Sequence, residues 1–223
     1  MPRFTTLTEA DLKQLQKFFH EWGEELRRIL VPGAHVVVAA NPLVSYFVSV
    51  SLTKAGLERR GEIVRLVQTM RGGDRPKNAH KEFSDVSVMP RSQWEPWVLF
   101  RKFPEGTIAD NLRKWKTGGL RRISDELPFG DVIRSAPTRA KERDIANHPS
   151  LKPQDFLRRI VRAMLPLGEG IILDPFAGSG STLAAAEALG YDSVGVELDP
   201  RYINIARTAI PELAQLRVNE TNV

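Results

Sequence analysis

The 223-residue chain contains no cysteine. That absence excludes disulfide bridges, thiolate metal sites and every reaction that needs a covalent thiol adduct. Histidine is scarce as well. The four residues His20, His35, His80 and His148 form no pair at metal-ligand spacing, so no metal site is expected. Nowhere do about 18 apolar residues run together as a membrane span requires, and no apolar stretch follows Met1 as in a secretory leader. A cytoplasmic protein without a membrane partner is the expectation.

What is present is ordinary for a globular chain, with 42% hydrophobic and 26% charged residues. The length supports one sizeable core with an appended segment. Net charge is +5, from 32 Lys and Arg against 27 Asp and Glu. Between Arg101 and Arg143 eleven basic residues stand against six acidic ones, so this segment alone accounts for the excess of five. A localised basic excess suits a polyanion such as nucleic acid, the alternative being a solvated loop with chance charge.

Thr8 followed by Asp11 predicts a capping box. Behind it Leu12, Leu15, Phe19, Trp22, Leu26 and Ile29 recur at three- and four-residue steps, which predicts an amphipathic helix over 9–30, stopped by Pro32 and Gly33. "AHVVVAA" reads as a buried strand, "LVSYFVSVSLTKAG" as a helix ended by Gly56, and "GEIVRLVQTM" and "EPWVLFRKF" as two further strands around a polar loop. From Pro104 to Pro149 periodicity fades, and an irregular insertion is expected. "KPQDFLRRIVRAML" is a helix with Phe156, Ile160, Ala163 and Met164 on one face. Then follow the strand "GIILD", the helix "STLAAAEAL", the strand "DSVGVEL" and a helix with Asp199 as N-cap and Pro200 at its first position. Alternating strands and helices predict an α/β layer fold around a parallel sheet.

"DPFAGSGST", residues 174–182, is the turn in which chemistry is expected. Gly178 and Gly180 let the backbone approach a ligand and enter a helix whose first amides face it. Glu197 ends the next strand, where a carboxylate can accept both hydroxyls of an adenosine ribose. The third glycine of GxGxxG is absent and no lysine follows Gly180, which weakens both the nicotinamide and the phosphate-loop readings. A carboxylate ahead of the turn, Asp174, suits a cationic ligand.

"HPSLKP" (148–153), "LDPFAGSGST" and "VGVELDPRYINIA", in that order, resemble motifs X, I and II of the DNA amino-methyltransferases, in the permuted class that places the cofactor motifs last. "EELRRILVPGAHVVV" and "EPWVLFRKF" are similar to that family's middle segments. The resemblance implies a Rossmann-like S-adenosylmethionine-dependent methyltransferase fold, mostly parallel, with an antiparallel last strand. It divides the chain into a catalytic-side part of the sheet (1–103), a target-recognition insertion (104–147) and a cofactor-binding half (148–223).

By that resemblance S-adenosyl-L-methionine is held by Asp174, Pro175, Phe176, Gly178, Ser179, Gly180, Ser181, Thr182 and Glu197, with Lys152 and Pro153 closing one side. Double-stranded DNA is the implied partner, read by Arg113, Lys114, Trp115, Lys116, Arg121 and Arg122 around the Gly118–Gly119 pair. The implied reaction is site-specific methylation of adenine N-6 or cytosine N-4, as in restriction–modification. Carbon-5 cytosine methylation needs a cysteine and is excluded. A catalytically inactive cofactor or nucleic-acid binding module and an RNA methyltransferase stand as alternatives, because fold alone does not fix substrate.

The family's catalytic loop, a polar residue followed by Pro-Pro and an aromatic, has no match. "NPLVSY" (41–46) offers Asn41 and Pro42 only, and reads as a strand-to-helix connection. The catalytic residues are therefore unassigned. The chain is expected to begin downstream of that loop and to lack one central strand, as a truncated or mis-started gene product, a split enzyme completed by a second chain or upstream segment, or a non-catalytic relic.

Overall fold

The structure is a computed structural model and describes residues 7–67 and 73–218. The chain divides into two compact units, Met1–Ile63 with Pro96–Leu120, and Val64–Glu95 with Arg121–Val223.

In the first unit, helix α1 (Glu9–Ile29) begins at the expected capping box. Asp11 N–H donates to Thr8 Oγ1 at 3.2 Å, and Thr8 N–H donates to Asp11 Oδ2 at 2.8 Å. Strand β1 (His35–Ala39) and helix α2 (Ser45–Lys54) follow. Gly23 lets α1 approach α2 closely, since a Cβ there would stand 2.7 Å from Ala55 Cβ. Strand β2 (Glu58–Leu66) starts earlier than the β-branched run alone predicts, and residues 68–70 of that run lie outside the described residues. Strand β3 (Trp94–Arg101) pairs antiparallel with β1, from His35 opposite Arg101 to Ala39 opposite Trp97. Val48, Leu52, Leu57, Val98 and Phe100 are the buried core, flanked by Phe19, Trp22, Val36 and Val38.

Residues 104–147 are more regular than expected. They hold helix α3 (Ile108–Trp115), strand β4 (Val132–Arg134) and helix α4 (Ala140–Ile145). Periodicity missed α3 because its fully buried residue is polar, Asn111. It missed β4 because only Ile133 of its three residues is buried.

In the second unit, the end of β2 pairs parallel with β4, Val64 opposite Val132 and Leu66 opposite Arg134. Helix α5 (Gln154–Met164) buries Phe156, Ile160 and Ala163, while Met164 stays half-exposed. Strand β5 (Ile171–Asp174), helix α6 (Ser181–Ala188), strand β6 (Asp192–Gly195) and helix α7 (Pro200–Ala214) complete a β-α-β-α run. Its core is Ala146, Leu151, Ala184, Ala209 and Leu213. The four-stranded sheet has the order β1-β3-β2-β4, and β5 pairs parallel with β6 in a sheet of two. Among the described residues β1 has β3 as its one strand partner and β5 has β6. The expected antiparallel strand is β3.

Candidate functional site

The turn between β5 and α6 is built by its own backbone. Asp174 Oδ1 accepts from the Phe176 N–H at 3.0 Å. The Val196 N–H donates to the Asp174 carbonyl and the Ala177 N–H to the Val196 carbonyl, each at 2.9 Å, so the turn stays laced to the residues leaving β6. Gly178 (φ 54°) and Gly180 (φ 85°) occupy the left-handed region that side chains disfavour. Space demands them too: a Cβ would stand 3.0 Å from His148 Nε2 at Gly178 and 2.5 Å from Ile210 Cγ1 at Gly180.

Glu197 is the side chain on which this backbone converges. Its Oε1 accepts from the Asp199 N–H and its Oε2 from the Gly178 N–H, both at 2.8 Å. The Asp199 amide foremost, then the Gly178 and Leu198 amides and the nearby His148, hold its carboxyl below the usual carboxylate range. Each oxygen retains a second lone pair, so an ionised, oriented carboxylate remains able to accept two hydroxyls.

The segment carrying the "HPSLKP" motif packs on the same turn from two places. The His148 ring lies edge-on to Tyr202, centroids 4.4 Å apart, with Gly178 beside it. Gln154, fully buried, donates from Nε2 to the Ser181 carbonyl at 2.8 Å. Neither His148 nor Gln154 was singled out as a site residue from the sequence; the sole signal was their place in or beside that motif. Pro153 is the N-cap of α5, and Lys152 Nζ donates to Glu95 Oε1 at 2.6 Å. Ser179 is buried, and its Oγ has no hydrogen-bond partner among the described residues. Pro175 is half-buried, and Ser181 and Thr182 open α6, whose N-cap is Gly180 without a side-chain cap.

The surface beside the turn is an open shelf. Phe176 is 58% exposed and Leu198, next to Glu197, 95%. Two cavities lie away from the turn. One of about 340 Å³ is lined by Arg139, Lys141 and Arg217, and one of about 410 Å³ by Tyr46, Lys54 and Arg59. Among the described residues no group of three or more His, Cys, Asp or Glu can hold a metal ion, and no helix is long and apolar enough to cross a membrane.

The basic segment is divided between the units. In the first, Arg113 pairs with Asp110 at 2.9 Å, Lys114 with Glu105 at 2.6 Å, and Trp115 Nε1 donates to Glu105 at 2.8 Å. Lys116 (φ 60°) ends α3. Asn111, 1% exposed, ties this stretch down. Its Nδ2 donates to the Thr117 carbonyl at 2.7 Å and the Pro32 carbonyl at 3.1 Å, and its Oδ1 accepts from the Glu105 N–H at 2.8 Å. In the second unit, Arg121 Nη1 donates to the Tyr191 hydroxyl at 2.7 Å, and exposed Arg122 reaches the Ser124 carbonyl at 3.2 Å. Asn41 accepts from the Leu43 N–H at 3.1 Å and makes the connection from β1 to α2, as its sequence predicts.

A strand, a glycine turn, a helix and a second strand followed by the carboxylate of Glu197 make a Rossmann-like arrangement. Solved structures share the fold: PvuII DNA methyltransferase (cytosine-N4-specific), with a TM-score of 0.64, 12% identity, and 95% of this chain and 79% of that one covered. The M1.HpyAVI–SAM complex gives a TM-score of 0.59, 17% identity, and 87% and 83% covered. This is a methyltransferase fold. The chain belongs to the N6/N4 DNA methylase family, whose family model matches residues 5–208. It is similar to type II methyltransferase M.HindIII of Haemophilus influenzae, 27% identical over 225 residues, covering 89% of this chain and 71% of that enzyme. It is also similar to DNA adenine methyltransferase YhdJ of Escherichia coli, 46% identical over 128 residues, covering 51% of this chain and 43% of that one.

Proposed function

We propose that this chain is an S-adenosylmethionine-dependent DNA methyltransferase of the amino-group type, acting on adenine N-6 or cytosine N-4 in double-stranded DNA. The observation that carries this reading is Glu197. A carboxylate fixed by the Gly178 and Asp199 amides, at the end of the strand beside the glycine turn, is positioned to bind a ribose. Asp174, Phe176, Gly178 and Gly180 supply the adjoining surface, and Asp174 offers negative charge to a cationic donor. A methylsulfonium supplies a methyl group on a good leaving group, so the demand on the protein lies at the acceptor amine. That amine's lone pair is delocalised into the base and must be turned toward the methyl by a polar acceptor. Asn41 serves the connection from β1 to α2, its Oδ1 accepting from the Leu43 N–H. In this reading a further segment or a second chain supplies the amine-orienting loop. The same observation favours a cofactor-binding, non-catalytic module as the second reading.

Calorimetry with S-adenosylhomocysteine on the wild type and Glu197→Ala tests the cofactor site. Loss of a charged bidentate contact is expected to cost about 1.5–3 kcal/mol. The Asp199, Gly178 and Leu198 amides hold the carboxyl below the usual carboxylate range, so the loss of affinity on acidification is expected at a lower pH than for an ordinary glutamate. Equal affinity for both proteins removes Glu197 from the site.

A further inference from the structure

Glu95 sits near the start of β3 between two cations. Its Oε2 accepts from Arg65 Nη1 at 2.9 Å and its Oε1 from Lys152 Nζ at 2.6 Å. Arg65, 5% exposed, has a partner in every direction: Nε donates to Ser135 Oγ at 3.1 Å and Nη2 to the Ala136 carbonyl at 2.9 Å. Its guanidinium lies 5.2 Å from the centroid of the Phe156 ring on α5. Burial pushes the Glu95 carboxyl up, but Lys152 and Arg65 outweigh it and hold the group below the usual carboxylate range. Arg65 and Glu95 stand on neighbouring strands, so they form the rigid end of the network. Lys152 is the other end, and it lies in the chain between His148 and Gln154, the two residues that pack on the glycine turn.

The geometry points to Glu95 as a positioning residue of the cofactor site. It anchors Lys152 and thereby the whole 148–154 segment against the glycine turn, and Lys152 serves this carboxylate, not a bound ligand. The inference rests on the proposed cofactor reading of the turn. It explains why a lysine ammonium beside a nucleotide-type turn is directed at a strand. A short charge-assisted bond to an already immobilised carboxylate fixes the segment with little remaining freedom.

A double-mutant cycle read by calorimetry with S-adenosylhomocysteine separates anchoring from direct contact, with thermal melting recorded in parallel. Glu95→Gln and Lys152→Met are each expected to weaken binding about tenfold, and the double variant no more than the weaker single, since both break one link. Glu95→Asp keeps the charge but shortens the reach; it is expected to weaken binding several-fold while melting near the wild type, and it replaces Glu95→Gln in the cycle if the latter does not fold. Additive losses overturn the proposal by showing that Lys152 touches the ligand, and wild-type binding by both Glu95 variants overturns it outright. Glu197→Ala is the control. If the wild type does not bind S-adenosylhomocysteine, the cofactor reading fails and this proposal with it; if Glu197→Ala loses binding while the Glu95 variants do not, the proposal alone fails.

Discussion

The glycine turn (174–182) and the basic segment (111–122) are both short connections at helix ends, yet they use their side chains in opposite ways. In the turn, amides converge on one carboxylate and leave its outer lone pairs for a ligand. In the basic segment, charged heads are held by the protein's own groups: Arg113 by Asp110 and Lys114 by Glu105 at the surface, and Arg121 by the distant Tyr191. A site made of backbone is specified by conformation, and its ligand-binding group follows. A site counted in cations is not specified by the count, because a cation already bonded must leave its partner before it reaches a phosphate.

Glycine replacement gives the largest expected contrast. Gly180→Val forces a β-branched residue to φ 85° with its Cβ 2.5 Å from Ile210. About 3 kcal/mol or more of destabilisation is expected, from overpacking and backbone strain together. Gly119, in the basic segment, has open space around its missing Cβ and no positive φ, so Gly119→Ala is expected to stay within about 0.5 kcal/mol. Urea denaturation of both variants measures the difference. Similar midpoints would break the claim that backbone builds one site and not the other.

Asn111 comes next. It is the polar plug that shapes the basic segment, and Asn111→Ala strands the Glu105 amide and the Thr117 carbonyl, while the Pro32 carbonyl keeps the Thr117 hydroxyl. About 2–4 kcal/mol of stability is expected to be lost, with S-adenosylhomocysteine affinity unchanged. A thermal midpoint at the wild-type value would mean that water replaces these bonds freely.

These two cases show where the sequence was informative. Gly178, Gly180 and Glu197 were legible because each does one thing that few residue types can do: adopt a positive φ, or present a carboxylate at a strand end. The amphipathic period of α1 and the Asp199-Pro200 start of α7 were legible for the same reason. Helix α3 was not, because Asn111 occupies the position where an apolar residue would have marked the buried face. Long-range pairing was hidden as well. Nothing local in "KP" says that Lys152 meets a glutamate 57 residues earlier, and nothing in "RR" that Arg121 meets a tyrosine 70 residues later. Openness is a further property that spacing does not encode; the shelf at Phe176 and Leu198 depends on what else covers it.

The smallest expected effect separates the two arginines that the sequence treats alike. Five cations flanking Trp115 in the sequence predict a DNA contact in which each removal lowers the salt slope by about one. Arg121 is half-buried, with its guanidinium on the Tyr191 hydroxyl and its N–H on the Ala163 carbonyl, whereas Arg122 is exposed and holds the Ser124 carbonyl at 3.2 Å. Arg122→Ala is therefore expected to reduce the magnitude of the slope of log affinity against log salt by about one, with melting unchanged. Arg121→Ala is expected to leave the slope in place and lower the melting midpoint by a few degrees, as loss of a single part-buried hydrogen bond of about 1 kcal/mol does in a chain of this size. The double variant then loses about one contact, not two. Fluorescence anisotropy with duplex DNA across a salt series reads both numbers. A slope change of two would show that Arg121 leaves Tyr191 on binding; no change at all would place the DNA contact elsewhere, with the Arg75–Lys81 stretch of the polar loop the next to mutate.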